Sequence, residues 1–253
     1  MSECVAGKRW KTGPGQDVGV EPLEAFFARI PRFAIAFSGG CDSSYLVAAA
    51  LAAGCDVRAY LVRSVFQPPC EIEDAKRLAT ERGLDLAIID ADVLTEDAVC
   101  SNPPDRCYWC KTFIFSTILD RMREDGFDVL ADGTNTSDDP THRPGFRALA
   151  ELGVMSPLRR AGMSKDDVRL ASHDLALFTA DKPSFSCLAV HVPQGRYITA
   201  EELHAAAASP DVVARVVARN AAVGAALDTE CNDAFAASER MVLEQSTMRV
   251  KER

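Results

Sequence analysis

Short apolar runs alternate with Ala- and Leu-rich helical stretches along most of this chain. Residues 33–37, Phe-Ala-Ile-Ala-Phe, form an unbroken apolar run, which suits a strand buried on both faces. Residues 57–62, 86–89 and 128–131 read as further strands. Between them lie helical stretches at 21–30, 45–53, 71–82 and 107–125, stopped in turn by Pro31, Gly54, Gly83 and Gly126. Proline lacks the N–H a helix needs, and glycine enters the left-handed region that ends one. A helix is also expected at 146–152, a short strand at 153–155, and a helix starting at Ser164 with Asp166 and Asp167 in its first turn, where the dipole favours acids. This alternation predicts an α/β fold, a parallel sheet flanked by helices. In such sheets ligands sit beyond the carboxyl ends of the strands. The polar loops after Phe37 and Ala131 therefore share one rim.

The texture changes at the two ends. Residues 1–19 are Gly-rich and charged and read as a flexible extension, followed by a main domain at 20–198. From Thr199 the sequence is Ala-rich and helical to about 244, with a break near Ser209-Pro210 and a basic end at 249–253 that is expected to fray. Residues 199–253 thus read as a helical appendage, a candidate surface for homo-oligomerisation.

Composition narrows the partners. The 253 residues carry 28 Lys and Arg against 37 Asp and Glu, a net charge of −9. This argues against nucleic acid as a partner, because binding phosphate needs clustered cations. The longest apolar run, 45–53, falls far short of the roughly 20 residues of a membrane span, so no membrane is expected. The N-terminus shows no apolar stretch of the signal-peptide kind, and a cytoplasmic location is expected. There the nine cysteines point to metal or catalysis where clustered and to small core residues where isolated. Cys4, Cys55, Cys70, Cys100 and Cys231 fall in the second group.

The segment Ser38-Gly39-Gly40-Cys41-Asp42-Ser43-Ser44 follows the first strand and opens a helix. Its glycines allow close backbone approach to a ligand. The helix start offers N–H groups and a positive dipole end, and the Ser38, Ser43 and Ser44 hydroxyls add donors for phosphate. Asp42 would repel bare phosphate and makes sense if it holds Mg²⁺ or orients the loop. No Walker-type G-x-x-x-x-G-K-[ST] is present, and no G-x-G-x-x-G follows this strand. The SGGxDS pattern resembles the PP-loop of the ATP pyrophosphatases, which cleave ATP between the α and β phosphates and adenylylate a substrate.

A second signal is Asn102-Pro-Pro-Asp-Arg-Cys107-Tyr-Trp-Cys110-Lys111. Two cysteines three apart at a helix start lie on one face and can share a metal or cluster. The plainer readings are a lone zinc pair, a redox pair or two core thiols. Context comes from Lys182-Pro183-Ser-Phe-Ser-Cys187-Leu188-Ala189. Together with Asp132-Gly-Thr-Asn135-Thr-Ser-Asp138-Asp139, Arg143-Pro-Gly, 151–158 and Lys165-Asp-Asp-Val-Arg169, these segments resemble, in order over 33–199, the LarE family of ATP-dependent sulfur transferases. The resemblance implies the adenine nucleotide alpha hydrolase-like fold, ATP and Mg²⁺ at 38–44, and a nucleotide or its metal surrounded by Asp132, Asn135, Asp138, Asp139 and Arg143. A solvated Asx-rich turn is the plainer reading of that last group. Arg106 and Lys111 are candidate phosphate contacts.

In that family the cysteine matching Cys187 is the sulfur donor of single-Cys members. Members with three cysteines, matching Cys107, Cys110 and Cys187, bind a [4Fe–4S] cluster with one iron left open. Having all three, this chain is expected to follow the cluster version. The implied reaction adenylylates a small-molecule carboxylate with Cys187 and Asp42 as catalytic residues, then replaces AMP by sulfur. A sulfur-donor protein is an implied partner. Two departures stand out. Where the family continues L-A-S-R, this chain has Leu188-Ala189-Val190-His191, and histidine lacks the planar fork of arginine. The small C-terminal domain of the family has no match after Thr199. Competing readings are an amide-forming PP-loop ligase, a non-catalytic nucleotide or Fe–S binding protein, and a tRNA-thiolating enzyme.

Overall fold

The computed structural model describes residues 10–11, 17–18 and 20–223. Cys4, Cys231, the rest of the 1–19 extension, the helical reading beyond 223 and the basic end lie outside the described residues. A short antiparallel pair, β1 (Trp10–Lys11) and β2 (Asp17–Val18), comes first. The body then runs α1 (Leu23–Arg29), β3 (Arg32–Ala36), α2 (Cys41–Ala52), β4 (Asp56–Arg63), α3 (Pro69–Arg82) and β5 (Asp85–Asp90). It continues with α4 (Asp97–Cys100), α5 (Arg106–Glu124), β6 (Leu130–Ala131), α6 (Gly145–Glu151), α7 (Pro157–Arg160), α8 (Lys165–Asp174), α9 (Ala200–Ala207) and α10 (Pro210–Ala222). Among the described residues no helix is long and apolar enough to cross a membrane.

The sheet order is β5-β4-β3-β6, and all three pairings are parallel. Strand alternation feeds two cores. Phe33 and Ile35 of β3, with Val57, Ala59 and Leu61 of β4, pack against α1, α2, α3 and α8. Ala34, Tyr60 and Val62 point the other way, against Phe115, Ile118, Leu119 and Met122 of α5 and Leu149 of α6. Phe33, Ile35 and Leu61 are each fully buried, which is worth about 1.5–3 kcal/mol apiece. Helix α2 is apolar nearly all round and buries Leu46, Val47, Ala48 and Ala50, as a helix enclosed by core must.

Four elements differ from expectation. The fourth strand shrinks to β6, two residues long. Residues 153–155 supply a single parallel bridge, Ala131 to Met155, instead of a strand. The short helices α4 and α7 are additional. The Ser164 start is confirmed as a reciprocal capping box, in which the Ser164 hydroxyl accepts from the Asp167 N–H and the Asp167 carboxylate accepts from the Ser164 N–H.

A third apolar cluster joins the middle of the chain to its last described helices. Phe66, Val93, Val99, Leu188, Ala189, Val192 and Ile198 pack with Leu203 of α9 and Val212 of α10. The helices after Thr199 therefore share a core with the segment that carries Cys187. Cys55, Cys70 and Cys100 are all buried, as expected of core thiols.

Candidate active site

The loop between β3 and α2 is shaped by its own hydroxyls. The Gly40 N–H donates to Ser38 Oγ at 3.3 Å, and Ser43 Oγ donates to the Gly40 carbonyl at 3.2 Å. The Ser38 N–H donates to Ser43 Oγ at 3.3 Å. Gly39 sits at φ +74°, and a Cβ there would lie 2.6 Å from the Glu71 carbonyl oxygen. The loop backbone therefore presses on the start of α3, and only glycine fits. No side chain caps α2, so its N-terminal dipole end opens at this loop. Ser44 is fully buried within α2 and does not face the cavity described below.

The second rim loop packs directly on the first. A Cβ on Gly133 would meet the Ser43 nitrogen at 2.8 Å. Asn135 Nδ2 donates to Asp42 Oδ1 at 3.0 Å, and Lys165 Nζ donates to Asp42 Oδ2 at 2.6 Å. Asp42 is thus the junction of three segments distant in sequence. The other acids of the loop have partners of their own. Asp132 accepts from Ser156 Oγ at 2.7 Å and from Thr134 Oγ1 at 2.5 Å. Asp138 accepts from the Asn135 N–H at 3.1 Å and from Arg143, and Asp139 accepts from the Thr141 N–H at 2.8 Å. Arg159, which the sequence reading passed over, ties the loop down by donating to the carbonyls of Asn135 and Asp138 at 3.1 and 2.8 Å. These bonds are those of a self-organised Asx-rich turn, and they leave Asn135 as the member that reaches Asp42.

A cavity of about 280 Å³ opens beside the first loop. Its lining includes Ser38, Gly40, Asp42 and Lys165, then Phe66, Gln67 and Pro68, and then Pro183, Phe185, Ser186 and Cys187. The loop and one of the three candidate thiols therefore share one wall-to-wall space.

Local hydrogen bonding explains how Cys187 reaches the CxxC helix. Arg106, at the first position of α5, is buried and donates through one nitrogen to Asn102 Oδ1 at 2.6 Å and to the Ala189 carbonyl at 2.7 Å. Asn102 in turn donates to the carbonyls of Val192 and Pro193 at 3.2 and 2.9 Å. The Leu188 N–H donates to the Phe66 carbonyl at 2.9 Å. Arg106 is thus a clamp between two cysteine segments, which corrects the expectation of a phosphate contact. Lys111 does not project freely either. Its stem lies where a Cβ on Gly145 would be, 2.6 Å away, and its ammonium sits 5.6 Å from the Phe115 ring centre.

The three thiols feel one another. Burial, with the neighbouring Cys187 and Cys107 behind it, pushes the Cys110 thiol up to about 12. Burial also raises Cys187, and the Arg106 cation opposes that rise. Cys107 is exposed. Among the described residues no three His, Cys, Asp or Glu side chains converge on a single metal ion. A cluster makes a different demand, since each thiolate binds a separate iron and the sulfurs stand wider apart. Three thiols from two segments, with the Arg106 cation beside them, supply the ligand type that a cluster takes. In the metal-free protein, iodoacetamide at about pH 7.5 is expected to label Cys107 first. Cys110 should react at least about tenfold more slowly, because the thiolate is the nucleophile and its protonated form dominates far above neutral pH. Peptide mass mapping over time checks the order.

Lys182 stands in the sequence only as part of a motif, yet it is 1% exposed. Its ammonium lies 2.6 Å from both Glu71 and Asp74 and donates to the Gly39 carbonyl at 3.1 Å. The legible signal was Glu71 and Asp74, two acids at i, i+3 on one helical face, which no aliphatic core would accept without a cation.

A parallel sheet flanked by helices, with an SGGxDS loop at the carboxyl end of β3 seated on α2, defines a PP-loop protein of the adenine nucleotide alpha hydrolase-like fold. No family model matches the chain. Individual proteins do. It is 34% identical over 185 residues, 73% of this chain and 69% of the other, to an uncharacterized protein of Synechocystis. It is 31% identical over 183 residues, 72% of this chain and 66% of the other, to the pyridinium-3,5-bisthiocarboxylic acid mononucleotide synthase of Lactiplantibacillus plantarum. A tRNA-specific 2-thiouridylase of Syntrophotalea carbinolica is 29% identical over 65% of this chain and 56% of its own length. The chain belongs to the LarE family within the PP-loop ATP pyrophosphatases.

Proposed function

We propose that this protein is an ATP-dependent sulfur transferase that adenylylates a small-molecule carboxylate and replaces the AMP with sulfur. The observation that carries the proposal is the shared cavity, which Ser38, Gly40, Asp42 and Cys187 line together. Two of the relatives above are named for products with sulfur in place of oxygen.

The N–H groups at the start of α2 and the Ser38 hydroxyl bind the phosphates of ATP. Asp42 is the carboxylate that would hold Mg²⁺, which uses one or two protein carboxylates plus phosphate oxygens. Lys165, 2.6 Å from Asp42, then either shares that carboxylate or turns to the phosphates. The substrate carboxylate oxygen attacks the α phosphorus, the bond to the β-phosphate oxygen breaks, and pyrophosphate leaves. A sulfur nucleophile from the Cys187 side attacks the acyl carbon, and AMP departs with the bonding pair. Cys107, Cys110 and Cys187 are the residues that would hold a [4Fe–4S] cluster. When bound, such a cluster supplies an iron position open to an exchangeable sulfide. Phe66, Pro68 and Phe185 exclude water, which would otherwise hydrolyse the adenylate.

Anaerobic purification with iron and sulfide counts tests the cluster. Cys107→Ala, Cys110→Ala and Cys187→Ala are each expected to lower bound iron to under about half, since three ligands are the minimum such a site offers here. Iron content unchanged in all three variants would remove the cluster. A protein that is colourless and iron-free as isolated, yet forms an amide with ammonia, would favour the ligase reading instead.

A further inference from the structure

We propose that α10 is a working part of the nucleotide loop, with Arg219 a positioning residue that acts through Asp74 and Lys182 on the Gly39 carbonyl. The connections are continuous. Arg219 Nε donates to Asp74 Oδ2 at 3.1 Å, and its Nη2 pairs with Oδ1 of the same carboxylate. Asp74 Oδ2 is 2.6 Å from Lys182 Nζ, and Lys182 donates to the Gly39 carbonyl at 3.1 Å. Asp74 and Lys182 are 1% exposed and Arg219 5%. Two further ties run from the same helix to the cavity wall. Arg215 donates to the Ser184 carbonyl at 3.1 Å, and Val216 packs with Cys70 and Phe185.

Charge accounting shows why the far end matters. Among the described residues Glu71 and Asp74 face Lys182 and Arg219, two against two, in a space where an uncompensated charge is costly. The lysine ammonium has three protons and three neighbours: Glu71, Asp74 and the Gly39 carbonyl. Arg219 covers Asp74 with a bidentate fork, which a monodentate cation cannot reproduce. With that fork gone, Asp74 draws the ammonium toward itself, and the neutral carbonyl is the weakest of the three partners to hold on to it. Gly39 is also the residue with no freedom to shift elsewhere, pressed against α3 at a positive φ. A helix that the sequence reads as an appendage thereby sets the shape of the phosphate loop.

The affinity arm of the test rests on the reading that the loop binds ATP, and a second arm does not. Calorimetry with ATP and Mg²⁺ is expected to show binding weakened about fivefold to tenfold in Arg219→Leu, with part of it regained in Arg219→Lys. Hydrogen exchange in the nucleotide-free protein is expected to quicken at residues 39–42 in the same order of variants. Met122→Ala, which opens the core on the opposite side of the sheet, serves as the control for lost stability. It should leave both readouts unchanged. Exchange at 39–42 that matches the unaltered protein in both Arg219 variants, or that quickens equally in Met122→Ala, overturns the proposal. If the unaltered chain binds no ATP, the sulfur-transfer reading fails, and the exchange arm alone decides the positioning role. Should Arg219→Leu not fold, Arg219→Lys against Met122→Ala makes the same comparison.

Discussion

Cys187→Ala is expected to abolish sulfur transfer, by about three orders of magnitude or more, while pyrophosphate release from ATP stays within about threefold of the unaltered protein. The split follows from the geometry. Adenylylation needs the loop, Asp42 and Lys165, and these are held together by bonds in which Cys187 takes no part. Sulfur delivery needs a thiol facing the cavity, and of the three candidates Cys187 lines it. The measurement is paired: pyrophosphate by a coupled assay and thiocarboxylate by mass spectrometry. The pyridinium dicarboxylate nucleotide is tried first, then a panel of small carboxylates. Equal loss of both signals would mean that Cys187 supports the nucleotide site and does not deliver sulfur. The mass of the turned-over chain separates two donors, because loss of the sulfur atom from Cys187 itself lightens the protein, whereas a cluster-derived sulfide leaves it unchanged.

Lys182→Met carries the largest expected effect on stability, about 3–5 kcal/mol, because it leaves buried Glu71 without its lysine and takes one of two cations from buried Asp74. For a chain of this size that is a fall in Tm of about 10 °C or more. The loss should depend on pH. Burial raises Glu71 above its ordinary value near 4.5, and Lys182 is the main opposing influence. A carboxyl raised on folding gives stability that is full below its unfolded value and lost as pH rises through its folded one. Removing Lys182 raises Glu71 further, so the deficit relative to the unaltered protein should be large at about pH 7.5 and shrink toward about pH 5. Thermal denaturation at both pH values checks this. A deficit of equal size at the two pH values would mean that lost packing, and not stranded charge, is the cause.

Comparison with the 2-thiouridylase relative leaves the acceptor to experiment, but the clamp made by Arg106 narrows the question. By holding the Ala189 carbonyl, Arg106 fixes Cys187 from the side of the CxxC helix. The departure at Val190 and His191 falls just beyond that clamp. Val190 is 50% exposed, and neither it nor His191 is among the residues that line the cavity.

Much of the site was readable before any fold was known. The order strand, glycines, acid, hydroxyls, helix can be read at 33–44 because loop and helix start are contiguous, and local sequence dictates local backbone. The joining of Asn135 to Asp42 was foreseen as shared neighbourhood, since both loops follow strands of one parallel sheet. For Asp132, Asp138 and Asp139 the sequence left two readings open, because an acid that organises its own turn and an acid that holds a metal look alike in one dimension. The role of Arg106 was misread for a similar reason: a cation beside cysteines suggests an anion, and nothing local shows that the Ala189 carbonyl is its partner.

The sequence by itself determined the class of fold and the glycine-rich turn after β3, since strand alternation and a contiguous loop are written in local order, and it offered Cys107, Cys110 and Cys187 as candidates through a family resemblance. Only the tertiary structure decided that Cys187 lines the same cavity as the loop, and that Lys182 and Arg219 join helices α3 and α10 to the Gly39 carbonyl. Those facts depend on burial. A buried charge must find its counter-charge wherever packing brings one, and in this protein the partners stand up to 145 residues apart.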